Sequence, residues 1–313
     1  MVPAPIPTFR SLQGYNPVDE TAHIGTSFPS DSTQLSALLD AENSDELIRD
    51  LATLVSHRGV VFFKNQDITI QKQKELGLRL GQLTGRPAES GLHKHPVSEE
   101  TPELGADTSV ISSMGGIARA GYPVPSDYAI LKMHTLPRVG GDTLWASGYE
   151  AYDRLSPALQ RFLEGLTAEH DGNFFHNTAK KLNVPIQQNR GHLDNSGEDL
   201  RAVHPVIRTH PLTGYKSLFV NKGFTKRILE LYPEESDNLL DYLYRQISEN
   251  HDLQVRYKWG QNDVAIWDNR VTFHTATNDY VDNRQGNRVV GIGEKPFFDP
   301  NSKSRRAELK LSF

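Results

Sequence analysis

Three side chains that commonly bind ions lie in and just after a strand-like segment near the C-terminal end of the chain. The segment spans residues 263–274 (DVAIWDNRVTFH) and ends at His274, and Arg284 and Arg288 follow it. An imidazole can bind a metal, and a guanidinium can bind a carboxylate through two parallel hydrogen bonds. The pattern predicts a strand, a polar turn and a second strand. Taken alone, these residues could equally be a core histidine and two surface ion-pair arginines.

Four further short segments are strand-like and contain glycine, histidine, serine or threonine. They are residues 140–147 (GGDTLWAS), 168–171 (AEHD), 204–211 (HPVIRTHP) and 218–225 (LFVNKGFT). A single short motif of this kind is weak evidence, whereas several in a fixed order form a more specific signal.

The composition is that of an ordinary globular protein of 313 residues. Thirty-four Lys and Arg against 39 Asp and Glu give a net charge of −5, so the chain has no overall basic field for nucleic acid. The absence of cysteine excludes disulfides, thiolate metal sites and cysteine nucleophiles. No apolar run approaches the roughly 18 residues of a membrane span, and the first residues lack signal-peptide features. We therefore expect a cytoplasmic protein that binds neither nucleic acid nor membrane.

Hydrophobic periodicity predicts helices and many short strands. Helices are expected at residues 44–57, 71–83, 156–166 and 235–248. Strands are expected at residues 60–63, 128–136, 142–146, 203–209, 217–221, 253–259, 263–267 and 288–293.

Short strands with flanking rather than alternating helices favour a mainly β fold, a sandwich or jelly roll with helices on one face. Residues 1–40 lack sustained periodicity, which predicts an irregular N-terminal arm. No linker or internal repeat divides the remainder, so we expect one domain over residues 41–300 and a C-terminal tail over residues 301–313.

These motifs resemble the Fe(II)- and 2-oxoglutarate-dependent dioxygenases of the taurine dioxygenase (TauD/TfdA-like) family over residues 45–298. The resemblance implies a double-stranded β-helix with Fe(II) as cofactor and 2-oxoglutarate as co-substrate. His274 matches the distal iron ligand of the family. Arg284 matches the arginine that binds the distal carboxylate of 2-oxoglutarate, and Thr143 matches the hydroxyl that assists it. The resemblance further implies that these side chains and Arg288 converge on one cleft.

The resemblance also implies a substrate site for a small anion. Arg288 and His95 match substrate-anion residues, although either could instead be structural. Phe224 is a candidate wall of the pocket or, alternatively, an aromatic of the core. Two further candidate walls are Phe175 and Phe219. Ser98 stands where the taurine enzyme has a tyrosine, which puts taurine itself in doubt.

One family motif is absent from this sequence. The family has a His-x-Asp pair, usually within a Trp-His-x-Asp-x-Thr-Phe run, whereas this chain continues from Gly121 directly to Tyr122. About ten to fifteen residues are missing by comparison, and two of the three iron ligands are missing with them. The single His-x-acid triplet elsewhere is His192-Leu193-Asp194, and its polar surroundings predict a surface loop rather than a replacement site.

The leading expectation is an oxygenase that hydroxylates a small anionic substrate with O2, with an alkyl sulfonate such as taurine or a relative as the expected type. The alternative is a catalytically impaired pseudoenzyme or truncated variant that keeps a 2-oxoglutarate or anion site. A carbohydrate-binding jelly roll would explain the strands but not the set Thr143, His274, Arg284 and Arg288. The sequence leaves open whether the chain forms a homo-oligomer.

Overall fold

The computed structural model describes residues 9–97, 107–112 and 123–311. The junction between Gly121 and Tyr122, and also Ser98, lie outside the described residues.

Within these ranges the chain forms strands, α-helices and short 3₁₀ turns. The strands are β1 (Val18–Asp19), β2 (Thr26–Phe28), β3 (Val60–Phe63), β4 (Thr108–Ser112), β5 (Ser126–Thr135), β6 (Thr143–Ser147), β7 (Thr167–Asp171), β8 (Arg201–Pro205), β9 (Ile207–Thr209), β10 (Lys216–Leu218), β11 (Thr225–Ile228), β12 (Gln254–Tyr257), β13 (Val264–Asp268), β14 (Thr272–Ala276) and β15 (Gln285–Ile292). The α-helices are α1 (Leu35–Asp40), α2 (Ser44–Arg58), α3 (Ile70–Gln82), α4 (Gly148–Asp153), α5 (Pro157–Leu163), α6 (Phe174–Leu182), α7 (Pro233–Ser248) and α8 (Arg305–Leu309). None of these described helices is both long and apolar enough to cross a membrane.

The strands form one large and three small sheets. The large sheet has seven strands in the order β1-β2-β3-β13-β5-β15-β4, and the small sheets have the orders β12-β6-β14, β11-β7-β8 and β10-β9. The β2–β3 pair is parallel, and the other pairs are antiparallel. This mixed architecture agrees with the expectation of a sheet-rich fold with flanking helices.

The large sheet is buried on both faces, which explains why β3 is a continuous apolar run. Side chains alternate across a strand, so Val61 and Phe63 pack against helices α1–α3. Val60 and Phe62 point the other way and pack against Trp145 of β6. All four β3 residues are fully buried, as the sequence predicts.

A second helical layer covers the opposite face of the small sheets. Ala146 of β6 packs with Leu240 and Leu243 of α7, whereas its neighbour Trp145 faces the large sheet. The expectation of helices on one face was therefore wrong. The amphipathic stripe of α7 indicates that it is a surface helix, but not which sheet face it covers.

The sequence prediction also differs from the structure at residues 203–209. The single expected strand is two strands, β8 and β9, which pair with different partners, β7 and β10. Pro205 ends β8, and since proline has no amide hydrogen it cannot continue the hydrogen-bonded ladder. Helix α6 was not predicted because only Phe175 and Ala179 of its nine residues are buried, which leaves little apolar periodicity.

Residues before Ser44 are more regular than the predicted arm. Strand β2 extends the large sheet, and Phe28 stacks on Phe63 with ring centroids 4.6 Å apart. Leu12 and Leu35 join the same hydrophobic cluster. Helix α8 near the C-terminus docks through Arg306, which donates to the buried Glu150 at 2.6 Å.

A buried carboxylate joins the large sheet to helix α2 and to the segment after β9. Asp268 is fully buried and accepts hydrogen bonds from Ser56, His210 and Arg270 at 2.6–2.9 Å. Burial alone raises the pKa of Asp268, but the charge of Arg270 and the hydrogen bond from His210 outweigh it and hold that pKa far below its usual range. Asp268 is thus ionised in the interior, with its charge compensated locally.

We expect Phe28→Ala to lower the free energy of unfolding by about 3–5 kcal/mol, because it leaves a cavity beside Phe63 in the core. The matched control is Val281→Ala, since Val281 is 97% exposed and its truncation should change that free energy by less than about 0.5 kcal/mol. Denaturant unfolding followed by circular dichroism measures both. A loss below about 1 kcal/mol for Phe28→Ala would show that β2 lies outside the cooperative core.

We expect Asp268→Asn to lower the free energy of unfolding by about 3–5 kcal/mol, because Arg270 loses the nearer of its two counter-charges, Asp268 at 2.6 Å against Glu294 at 3.4 Å. Asp241→Asn provides the control, since Asp241 pairs with Arg245 on the exposed surface of α7 and should contribute less than about 1 kcal/mol. The same denaturation experiment compares the two variants. Equal effects would contradict the importance assigned to the buried carboxylate.

Candidate functional site

The β6–β14 pair brings Thr143 and His274 to one face. Antiparallel register sets His274 opposite Trp145 and Ala276 opposite Thr143, so that these four side chains point to the same side. That side faces the large sheet, because Trp145 is buried against it and Trp267 lies with its ring 5.0 Å from His274. The turn before β14 is held by Thr272, whose hydroxyl donates to the carbonyl of Asp268 at 2.7 Å.

Arg284 precedes β15 and contacts Thr143 directly. Its Nε donates to the carbonyl of Gly141 at 2.8 Å, and its Nη2 donates to the Thr143 hydroxyl oxygen at 3.3 Å. Both side chains are almost fully buried. Burial lowers the pKa of Arg284, and the nearby Tyr280 and Asp142 oppose that shift. We call these two residues the Thr143–Arg284 pair.

The glycines before Thr143 allow this close approach. Gly140 and Gly141 have φ values of 78° and 74°, a conformation that glycine adopts without strain. A Cβ on Gly141 would lie 2.9 Å from Cδ of Arg284, and one on Gly140 would lie 2.4 Å from the carbonyl oxygen of Asp279. The two glycines therefore allow the arginine to reach the carbonyl of residue 141.

Thr143 also accepts a hydrogen bond from a residue that the sequence analysis did not identify. The indole Nε1 of Trp259 donates to the Thr143 hydroxyl at 3.0 Å. Trp259 lies two residues beyond Tyr257, the cross-strand partner of Thr143, and so continues the same face. The alternation of side chains along β12 and beyond it is the sequence feature from which the position of Trp259 could have been predicted.

A cavity next to His274 is lined by a second histidine, His170 of β7, and by Phe219 and Asn221. His170 is fully buried, and its Nδ1 lies 3.3 Å from the Thr225 hydroxyl. Burial, with a smaller contribution from His204, lowers the pKa of His170 to about 3. His170 is therefore a neutral imidazole at physiological pH. In the sequence, His170 stands out only as part of the motif at residues 168–171.

Arg288 lies on β15 opposite Leu131 of β5 and is 7% exposed. Because Leu131 and Val290 pack in the layer between the large sheet and β12-β6-β14, the alternation directs Arg288 to that layer too. The strand pairings therefore direct Thr143, His274 and Arg288 toward the same inner layer.

His95 and Phe224 belong to an aromatic cluster around Phe175. The edge of His95 meets Phe175 with ring centroids 5.0 Å apart, and His95 Nδ1 accepts the amide hydrogen of Val97. Phe175 and Phe224 are both buried in a small apolar cluster with Leu200. Phe219 instead stacks under the guanidinium of Arg208 at 4.9 Å.

The iron ligands that the resemblance requires are not assembled in the described residues. All twelve histidines of the chain fall within them, and there they hold no group of three or more His, Asp or Glu side chains arranged for a metal. Asp194 is exposed, and His192 accepts its backbone amide hydrogen through Nδ1. The described part of the chain thus fits the binding of a carboxylate but does not fit Fe(II).

Comparisons with known proteins agree with this architecture. Residues 19–291 match the sequence profile of the family described as "Taurine catabolism dioxygenase TauD, TfdA family". The α-ketoglutarate-dependent dioxygenase oryG of Aspergillus oryzae is 39% identical, and the alignment covers 98% of this chain and 96% of that protein. That alignment extends over 330 positions, more than the 313 residues here, so oryG contains residues without a counterpart in this chain.

Two further similarities concern more distant proteins. The α-ketoglutarate-dependent sulfonate dioxygenase of Saccharomyces cerevisiae is 34% identical over 82% of this chain and 63% of that protein. The crystal structure of a taurine dioxygenase from Burkholderia xenovorans superimposes with a TM-score of 0.70 at 26% identity, covering 92% of both chains. Family members use Fe(II), 2-oxoglutarate, O2 and a small substrate. The chain therefore belongs to the TauD/TfdA family of 2-oxoglutarate-dependent dioxygenases.

Proposed function

We propose that this fold serves the 2-oxoglutarate-dependent hydroxylation of a small anionic substrate, and that the chain with its present sequence binds 2-oxoglutarate but turns over little of it. The observation that carries the proposal is the Thr143–Arg284 pair, a buried guanidinium and a hydroxyl joined by a hydrogen bond. Buried arginine is well suited to bind a carboxylate, because its planar donors match the two carboxylate oxygens.

Arg284 supplies the charge for the distal carboxylate of 2-oxoglutarate, and Thr143 supplies a hydroxyl beside it. The hydrogen bond to Gly141 holds Nε of the guanidinium in place, so little side-chain freedom is lost when the carboxylate binds. Their burial excludes water and strengthens the charge interaction. We further propose that the layered sheets form the double-stranded β-helix of the family. Residues 41–300 make up its single domain, and β2, Leu12 and Leu35 of the preceding segment pack into the same core.

For the substrate we propose a small sulfonate or carboxylate bound by Arg288 and His95, with Phe224 as an apolar wall. Arg288 is a buried cation on the inner face of the large sheet, which supports an anionic substrate. The yeast relative is a sulfonate dioxygenase, which supports a sulfonate as the substrate class. His274 would be the one iron ligand of the family site that this chain retains.

The second candidate is a pseudoenzyme that binds 2-oxoglutarate or another dicarboxylate without oxidation. It is favoured by the absence, among the described residues, of a cluster of three metal-binding side chains. One imidazole cannot hold Fe(II) in a facial geometry, because the family site needs a second imidazole and a carboxylate.

Arg284→Ala should abolish saturable 2-oxoglutarate binding, because a buried carboxylate without its bidentate partner loses about 2–5 kcal/mol. Arg284→Lys should restore binding only in part, since an ammonium cannot donate two parallel hydrogen bonds. Calorimetric titration provides the affinities. Arg138→Ala is the control, because Arg138 is 87% exposed and pairs with Asp282 at the surface. An unchanged affinity in Arg284→Ala would remove 2-oxoglutarate from the proposal.

The unmodified chain should bind Fe(II) weakly and form little succinate from 2-oxoglutarate, since two ligands of the family site are missing. Insertion of a Trp-His-x-Asp-x-Thr-Phe segment between Gly121 and Tyr122 should restore both properties. Metal analysis after anaerobic reconstitution and a succinate assay measure them. An insertion with Ala in place of the His and the Asp is the matched control.

Stoichiometric iron and rapid succinate formation in the unmodified chain would contradict the missing-ligand hypothesis. His192 and Asp194 would then be the first residues to replace, because they form the remaining His-x-Asp triplet of the sequence.

A further inference from the structure

Trp259 is held rigidly beside the Thr143–Arg284 pair. Its indole lies between two other aromatic rings, with centroid distances of 5.3 Å to Tyr257 and 6.2 Å to Trp145. Only 7% of Trp259 is exposed. Because the ring is fixed by packing, its N–H has one direction, and that direction leads to the Thr143 hydroxyl oxygen at 3.0 Å.

The two donors on Thr143 determine what its hydroxyl can do. A hydroxyl oxygen has two lone pairs and one hydrogen. The indole of Trp259 and the guanidinium of Arg284 each donate to that oxygen, so both lone pairs are used. The hydroxyl hydrogen must then point away from both donors, and no acceptor for it is found among the residues that the structure describes.

We propose that Trp259 is a positioning residue for 2-oxoglutarate binding, which acts by turning the Thr143 hydroxyl into a fixed donor for the distal carboxylate. The inference rests on the proposed function, because it takes the Thr143–Arg284 pair as the carboxylate site. Without the indole N–H, the hydroxyl could rotate and direct a lone pair at the carboxylate, which would be repulsive. Trp259 therefore determines the polarity of the Thr143 hydroxyl, although it does not itself touch the ligand.

The inference also concerns specificity. A carboxylate oxygen is acceptor-only when ionised, which suits a site formed by a guanidinium and an oriented O–H. A ligand whose carboxyl group is protonated or amidated carries a hydrogen there. That hydrogen would face the donors of Arg284 and Thr143 and would find no acceptor. The geometry therefore selects an ionised carboxylate at this position.

The test is calorimetric titration of the full chain with 2-oxoglutarate in a double-mutant cycle. Trp259→Phe keeps an aromatic ring but removes the N–H, and we expect binding about 3- to 10-fold weaker, the usual range for one neutral hydrogen bond. In a Thr143→Val background, the same change at Trp259 should alter the dissociation constant by less than about twofold, because no hydroxyl remains to orient.

The matched control is Tyr257→Phe. This change removes one hydroxyl from the same aromatic cluster. That hydroxyl donates to Asp263 at 2.8 Å and does not contact Thr143. The affinity of the Tyr257→Phe variant for 2-oxoglutarate should remain within about twofold of the parent. A general loosening of the cluster would weaken binding in this control as well.

The outcomes distinguish failure of the positioning role of Trp259 from failure of the proposed function. Loss of affinity in Trp259→Phe that disappears in the Thr143→Val background supports the positioning role. An equal loss in both backgrounds, or no loss in either, overturns it while leaving the proposed function intact. Absence of saturable binding in the parent chain overturns the proposed function, and the positioning role with it.

A measurement on the indole itself covers the case in which Trp259→Phe does not fold. The chain has three tryptophans, so ¹⁵N-indole spectra are simple, and the Trp259 signal is assigned through its contact with Tyr257. Thr143→Val should move the Trp259 N–H resonance upfield, whereas Thr143→Ser, which keeps the hydroxyl, should leave it in place. An unmoved resonance in Thr143→Val would contradict the hydrogen bond on which the inference depends.

Discussion

The buried carboxylate of Asp268 is the interaction on which the arrangement of the inner layer depends. It lies at the end of β13 and compensates Arg270, which follows two residues later in the turn to β14. His210 accepts backbone amides at Nδ1 and so donates through Nε2 to Asp268, while Ser56 donates from α2. One ionised group thereby joins three segments distant in sequence. The turn that these contacts hold is the one from which β14 presents His274.

The same region contains further compensated charges. Glu294 lies within 3.4 Å of Arg270 and also pairs with Arg208, while Asp127 pairs with Arg86 at 2.8 Å. Removal of a charged group from water is costly unless a partner and hydrogen bonds replace the solvent. Each of these pairs supplies the opposite charge, but Nη1 of Arg86 and both Nε and Nη1 of Arg208 find no hydrogen-bond acceptor among the described residues.

The described residues assemble the candidate carboxylate site, the Thr143–Arg284 pair, but not the metal site of the family. The Thr143–Arg284 pair needs a glycine turn, a strand and an aromatic cluster, and all three are present. The family's metal requires a second imidazole and a carboxylate around His274, and the described residues contain no such cluster. In the proposed function, co-substrate binding and oxygen activation therefore depend on different segments of the chain.

Local patterns in the sequence predicted several helices and strands, and the family resemblance of its motifs indicated the site residues. An apolar stripe at helical spacing predicted α2, a β-branched and aromatic run predicted β3, and ordered motifs identified Thr143 and Arg284, which the structure joins by a hydrogen bond. The side of the sheets that α7 covers, the division of β8 from β9, and the contact of Trp259 with Thr143 were decided by tertiary structure. Periodicity along the chain reports which face of an element is apolar, whereas the partner of that face depends on packing between segments far apart in sequence. Trp259 and Thr143 are 116 residues apart, and only the pairing of β12 with β6 brings the indole to the hydroxyl.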